Sequence, residues 1–164
     1  MDISILPLSL TRLQLYGLVF LMGGFSVATL SDLRRMSAQK EFMEIWILFF
    51  FSFLIYDLYM GYTLGADWIL YAKWLLIVLF FIIWASDRFF KTAVADVCAC
   101  LAVMVLLTPL FILLFLLGLK IFDLLLRSTL KKGFGKNNSY PFMPVITPST
   151  VSVFIIGFYI LDWV

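Results

Sequence analysis

The chain contains no histidine and only two cysteines. Without histidine, Ser-His-Asp and Cys-His arrangements are excluded as sources of nucleophilic catalysis. Cys98 and Cys100 stand two apart in an apolar run and point to different helix faces. That spacing supports neither a mutual disulfide nor a CxxC metal pair, and no zinc or iron site is expected. Charge is also scarce: Asp, Glu, Lys and Arg make up 13% of the residues, where soluble domains carry about 25%. The net charge of +2 is too small to argue for nucleic acid as a partner, and nothing in the sequence calls for a cofactor.

What fills the chain instead is apolar. Hydrophobic residues make up 64% of the sequence and the mean hydropathy is +1.09, which points to an all-α polytopic membrane protein. Its 164 residues suffice for about six spans of roughly 20 residues with short loops. Residues 1–164 therefore read as a single integral-membrane domain. The first ten residues carry no Lys or Arg, so a cleaved signal peptide is not expected.

The apolar segments run over about 13–30, 45–64, 66–85, 92–108, 109–127 and 146–163. A single helix from 92 to 127 would be roughly 50 Å long, well beyond a hydrocarbon core of about 30 Å. Pro109 removes a helix hydrogen bond and disfavours helix at Thr108, so a tight turn is expected there. Charge argues for the same division. Arg34, Arg35 and Lys40 follow segment one; Arg88 and Lys91 follow segment three; Arg127, Lys131, Lys132 and Lys136 follow segment five, and the alternate side holds Arg12. With six spans every basic loop falls on one face, which is cytoplasmic by the positive-inside rule, and both termini lie outside.

This topology brings two awkward charges to the same depth. Asp32 ends segment one and Asp96 begins segment four, and an ionisable group at a bilayer boundary is costly unless paired, hydrated or used. Two carboxylates a few ångströms apart share one proton. The ionised member can draw a proton from a water held between them while the other polarises a scissile carbonyl. The alternative reading is structural: Ser31-Asp32 caps a following short helix and pairs with Arg34 or Arg35, and Asp96 places a negative charge at a helix N-terminus.

Asp32-Leu33-Arg34-Arg35 resembles the Asp-Leu-[Lys/Arg]-x-Arg signature of type IV prepilin peptidases and archaeal preflagellin peptidases, the GxGD-type membrane aspartyl proteases. Ala93-Val94-Ala95-Asp96 stands where that family carries Gly-x-Gly-Asp, with alanine at both glycine positions. Tyr140-Pro141-Phe142-Met143-Pro144 is similar to its Pro-Phe-x-Pro stretch. The resemblance covers essentially the whole chain. It implies an aspartic endopeptidase of the cell membrane with Asp32 and Asp96 as catalytic residues. Its partner would be a pilin-like or archaellin-like precursor, cleaved at the cytoplasmic face. Some bacterial members also methylate the new N-terminus and carry a four-cysteine zinc module; this chain lacks those cysteines, so peptidase activity alone is expected. The competing reading is an inactive membrane scaffold of the same fold.

Other features carry simpler expectations. Gly23-Gly24, with Ser26 and Ala28, offers a small-residue face for packing against segment four. Asp57 and Lys73 are placed to pair between segments two and three, with a transport path as the functional alternative. Lys120, Asp123 and Arg127 follow helical spacing and are expected to satisfy one another. Met36 to Glu44 reads as a short interfacial helix. Lys131 to Asn138 reads as a mobile basic loop able to touch anionic membrane lipid.

Overall fold

The computed structural model describes residues 10–35, 40–65, 67–85, 93–134 and 140–161. Among the described residues the chain is all helix, with no strand. The helices are α1 (Arg12–Arg35), α2 (Lys40–Leu64), α3 (Trp68–Ala85), α4 (Val94–Met104), α5 (Pro109–Phe134) and α6 (Met143–Leu161). Helices α1, α2, α3 and α5 are long and apolar enough to cross a membrane; α4 and α6 are apolar but shorter. At 1.5 Å per residue, the 11 residues of α4 rise roughly 16 Å, about half a hydrocarbon core.

The expected break before Pro109 is present. Pro109 occupies the first position of α5, where a missing N–H costs nothing because that donor has no partner inside the helix. Helix α4 ends at Met104, and Val105, Leu106 and Leu107 make the turn while fully buried. Non-helical backbone in apolar surroundings must satisfy its own polar groups or be covered by protein. Here both hold: Leu106 N–H donates to the Val103 carbonyl (3.0 Å) and Leu107 N–H to that of Met104 (3.1 Å).

Glycine admits this turn to the core. A Cβ at Gly17 would lie 2.9 Å from Leu106 Cδ1, so α1 and the turn meet at van der Waals limit. Of the expected small-residue face, Ala28 is fully buried, and the tight approach at Gly17 lies outside it. A Cβ on Gly23 meets nothing within 4 Å, and one on Gly24 meets Trp46 of α2.

Helix α6 lies against α1, α5 and α4, while α2 packs on α4 and α3 on α5. The core is filled by Leu18, Leu21 and Phe25 of α1, Val103 and Met104 of α4, Phe111 and Phe115 of α5, and Ile146 of α6. Fully buried Ala99 and Ala102 let α4 sit among its neighbours without spreading them. By contrast Leu48, Phe51, Ile55 and Leu58 of α2 are exposed along one side of the helix, an apolar surface of the kind that marks a membrane or protein contact.

Several element ends differ from the sequence expectation. Lys40 to Glu44 belongs to the start of α2, not to a separate interfacial helix, and Lys40 pairs with Glu44 one turn on (3.5 Å); Met36 to Gln39 lies outside the described residues. Likewise α5 continues through Lys131-Lys132-Gly133-Phe134, where a loop was expected, and 135–138 lies outside the described residues. Cations favour the negative end of a helix, so α5 does not stop where its hydrophobicity does. Arg88 and Lys91 also fall outside the described residues.

Candidate active site

Asp32 and Asp96 are both buried, each 7% exposed. Asp32 lies in the last turn of α1, where the negative end of the helix dipole opposes its charge. Its compensation comes from the far end of the chain. Met143 N–H, the first residue of α6, donates to Asp32 Oδ2 at 3.2 Å, and Phe142 supplies a second backbone hydrogen bond. The first amides of any helix lack intrahelical acceptors, so Asp32 acts as an N-terminal cap for α6 from a different element. One turn earlier, the Thr29 and Thr147 hydroxyls meet at 2.8 Å and fix α1 against α6 at the same level.

Asp96 is the third residue of α4. Its Oδ2 accepts from the Ala93 backbone N–H at 3.1 Å, the returning half of a capping box. Ala93 has no side-chain oxygen to make the forward half. A carboxylate here also meets the positive end of the α4 dipole. Both carboxylates therefore sit at helix N-termini, Asp32 at that of α6 and Asp96 at that of α4.

The two N-termini lie within electrostatic reach of one another. Helices α1, α4 and α6 are in mutual contact, and the Asp32 charge acts directly on Asp96. The fold thus brings together the two aspartates that the sequence singles out. Each carboxylate is held by backbone amide N–H groups, Asp32 by Met143 and Phe142 and Asp96 by Ala93. Among the described residues no cluster of His, Cys, Asp and Glu is arranged to hold a metal ion.

A second assembly, on α5, is announced by the sequence only in part. Asp123 of α5 is 1% exposed. Arg127 grips its carboxylate from one turn on, through Nη2 to Oδ2 and Nε to Oδ1 (3.4 Å). The Tyr140 hydroxyl donates to Asp123 Oδ1. Arg127 and Lys131 also lie about 6 Å from the Tyr140 ring centroid, at 6.0 and 5.9 Å. Burial pushes the Tyr140 phenol up to about 12, helped by the bond to Asp123 and its charge and opposed by Arg127. The i,i+4 spacing announces the Asp123–Arg127 pair; the tyrosine comes from a different segment, and no local pattern announces it.

Asp57 and Lys73 meet between α2 and α3 as expected, with Lys73 Nζ 2.6 Å from Asp57 Oδ2. A cleft of about 410 Å³ opens beside them, lined by Gly61, Tyr62, Tyr71 and Trp74 among others.

Comparison of the chain with protein-family models, with curated proteins and with solved structures found no match.

Proposed function

We propose that the protein is a membrane aspartic endopeptidase in which Asp32 and Asp96 activate a water between them. The observation that carries this reading is the convergence of two buried carboxylates, from α1 and α4, within electrostatic reach of one another. In this reading the two carboxylates share one proton. The ionised carboxylate takes a proton from water and the protonated one hydrogen-bonds the scissile carbonyl. The resulting tetrahedral centre collapses as the C–N bond breaks and the leaving amine takes up a proton. The Met143 and Phe142 amides hold Asp32 in place while this happens.

The motif resemblance extends the proposal to the prepilin and preflagellin peptidase family. It suggests precursors with a short basic leader as substrates, in a six-span topology with both termini outside and the aspartates at the cytoplasmic face. A pilin-like precursor incubated with the purified protein in detergent tests it. Cleavage by the wild type and loss of it in both Asp32→Asn and Asp96→Asn are expected, whereas undiminished cleavage in either variant refutes the assignment. A second reading, an inactive scaffold, draws on a specific observation: both carboxylates are already engaged by helix N-terminal amides. It is favoured if neither substitution alters any cleavage while both destabilise the fold.

A further inference from the structure

The segment that carries Asp32's amide donors is tied down at its other end. Tyr140 and Met143 are three residues apart, so even fully extended they are separated by no more than roughly 11 Å. Tyr140 is bonded to Asp123, and Met143 N–H to Asp32. Pro141 between them restricts the backbone further, with φ fixed by its ring. Tyr140 and the Met143 amide are thus joined by a short tether, part of it stiffened by Pro141.

Asp123 is a firm anchor. Its carboxylate receives donors from both Arg127 and Tyr140, and bidentate Arg–carboxylate contacts fix direction as well as distance. A carboxylate that is 1% exposed on an apolar helix is costly to keep. Arg127 one turn away balances the charge, yet it does not explain why a tyrosine from another segment is brought to the same oxygen.

From this we infer that Asp123 and Tyr140 are positioning residues for Asp32: they clamp the 140–143 segment so that its backbone amides hold the Asp32 carboxylate facing Asp96. The inference rests on the endopeptidase reading for its catalytic consequence and on the hydrogen bonds of Tyr140 and Met143 for the mechanical one. Neither residue touches a reacting atom. Each acts through the Met143 amide.

Tyr140→Phe removes the hydroxyl and keeps the ring beside Arg127 and Lys131; Asp123→Asn removes the charged acceptor and is the second variant. Amide hydrogen exchange reads the mechanical part. Exchange at Phe142 and Met143 is expected to accelerate in both variants, and also in Asp32→Ala, while the middle of α6 keeps its protection. Precursor cleavage reads the catalytic part: kcat is expected to fall roughly 10- to 100-fold, the scale of a small misplacement of a catalytic group, with KM unchanged. Unchanged exchange at those two amides in Tyr140→Phe overturns the clamp whether or not the protein cleaves anything. Accelerated exchange with unchanged kcat overturns the positioning role. Absence of wild-type cleavage counts against the endopeptidase reading alone, and the exchange result then decides the clamp.

Discussion

Replacing one member of the Asp57–Lys73 pair is expected to destabilise the protein severely, and replacing both is expected to restore it. At a separation of 2.6 Å, the attraction between unit charges is roughly 6 kcal/mol at an effective dielectric constant of about 20. Withdrawing each ion from water costs several kcal/mol, so the intact pair is close to neutral in net effect. Removing one partner forfeits the attraction and leaves the other ion's desolvation uncompensated, a loss of about 3–5 kcal/mol. Lys73→Met and Asp57→Leu should each lose that much. The double variant should return to within about 1 kcal/mol of the wild type or exceed it, since apolar replacements of buried pairs are often neutral or stabilising. Reversible unfolding by SDS in mixed micelles, followed by tryptophan fluorescence, provides the assay. Trp74 is a local reporter, with the Lys73 ammonium 6.0 Å from its ring centroid and Phe50 packed edge-on against it. Small, additive losses in the single variants would refute the reasoning, because strong non-additivity is the signature of a coupled pair.

Gly17→Ala forces a methyl group against the Leu106 methyls. Overpacking of about 1–3 kcal/mol then exceeds or cancels the roughly 1 kcal/mol gained in helix propensity. The same unfolding assay should show Leu106→Val relieving the loss, and a clear stabilisation by Gly17→Ala alone would contradict the close approach. Tyr140 supplies a pH signature. The folded protein keeps this phenol protonated up to about 12, while an unfolded tyrosine ionises near about 10. Its contribution to stability is thus complete below pH about 10 and lost as pH rises towards 12. The difference in phenolate absorbance between wild type and Tyr140→Phe should place this one tyrosine late in the titration, and ionisation at an ordinary pH would argue against its bond to Asp123.

Much of the helical plan is legible in the sequence because apolar runs and proline report directly on helix existence. The six segments appear, and Pro109 marks the break between α4 and α5. Pairing of Asp57 with Lys73 is legible too, since two isolated opposite charges in apolar helices have few alternatives. Helix ends are less so: α2 starts at Lys40 and α5 runs to Phe134 because charged residues are acceptable in terminal turns, so polarity does not mark the stop. Small residues announce close packing but not its partner: Ala28 is buried, Gly24 faces Trp46 of α2, and Gly17 admits the turn at Leu106. At the candidate site the two aspartates stand out as charges in apolar surroundings. Their partners do not, because backbone amides leave no trace in residue identity. The Tyr140–Asp123 bond joins segments whose proximity only the folded chain decides.

The bond between Asp32 and Met143 spans 111 positions of sequence, and this has a consequence for biogenesis. Helix α1 emerges from the ribosome before α6. Throughout synthesis of the intervening helices, Asp32 lacks the amide donors that hold it in the finished molecule. Closing so long a loop is among the slower events of folding. The arrangement around Asp32 is therefore completed only once α6 has been made, and a nascent chain stalled before α6 would carry both aspartates without it.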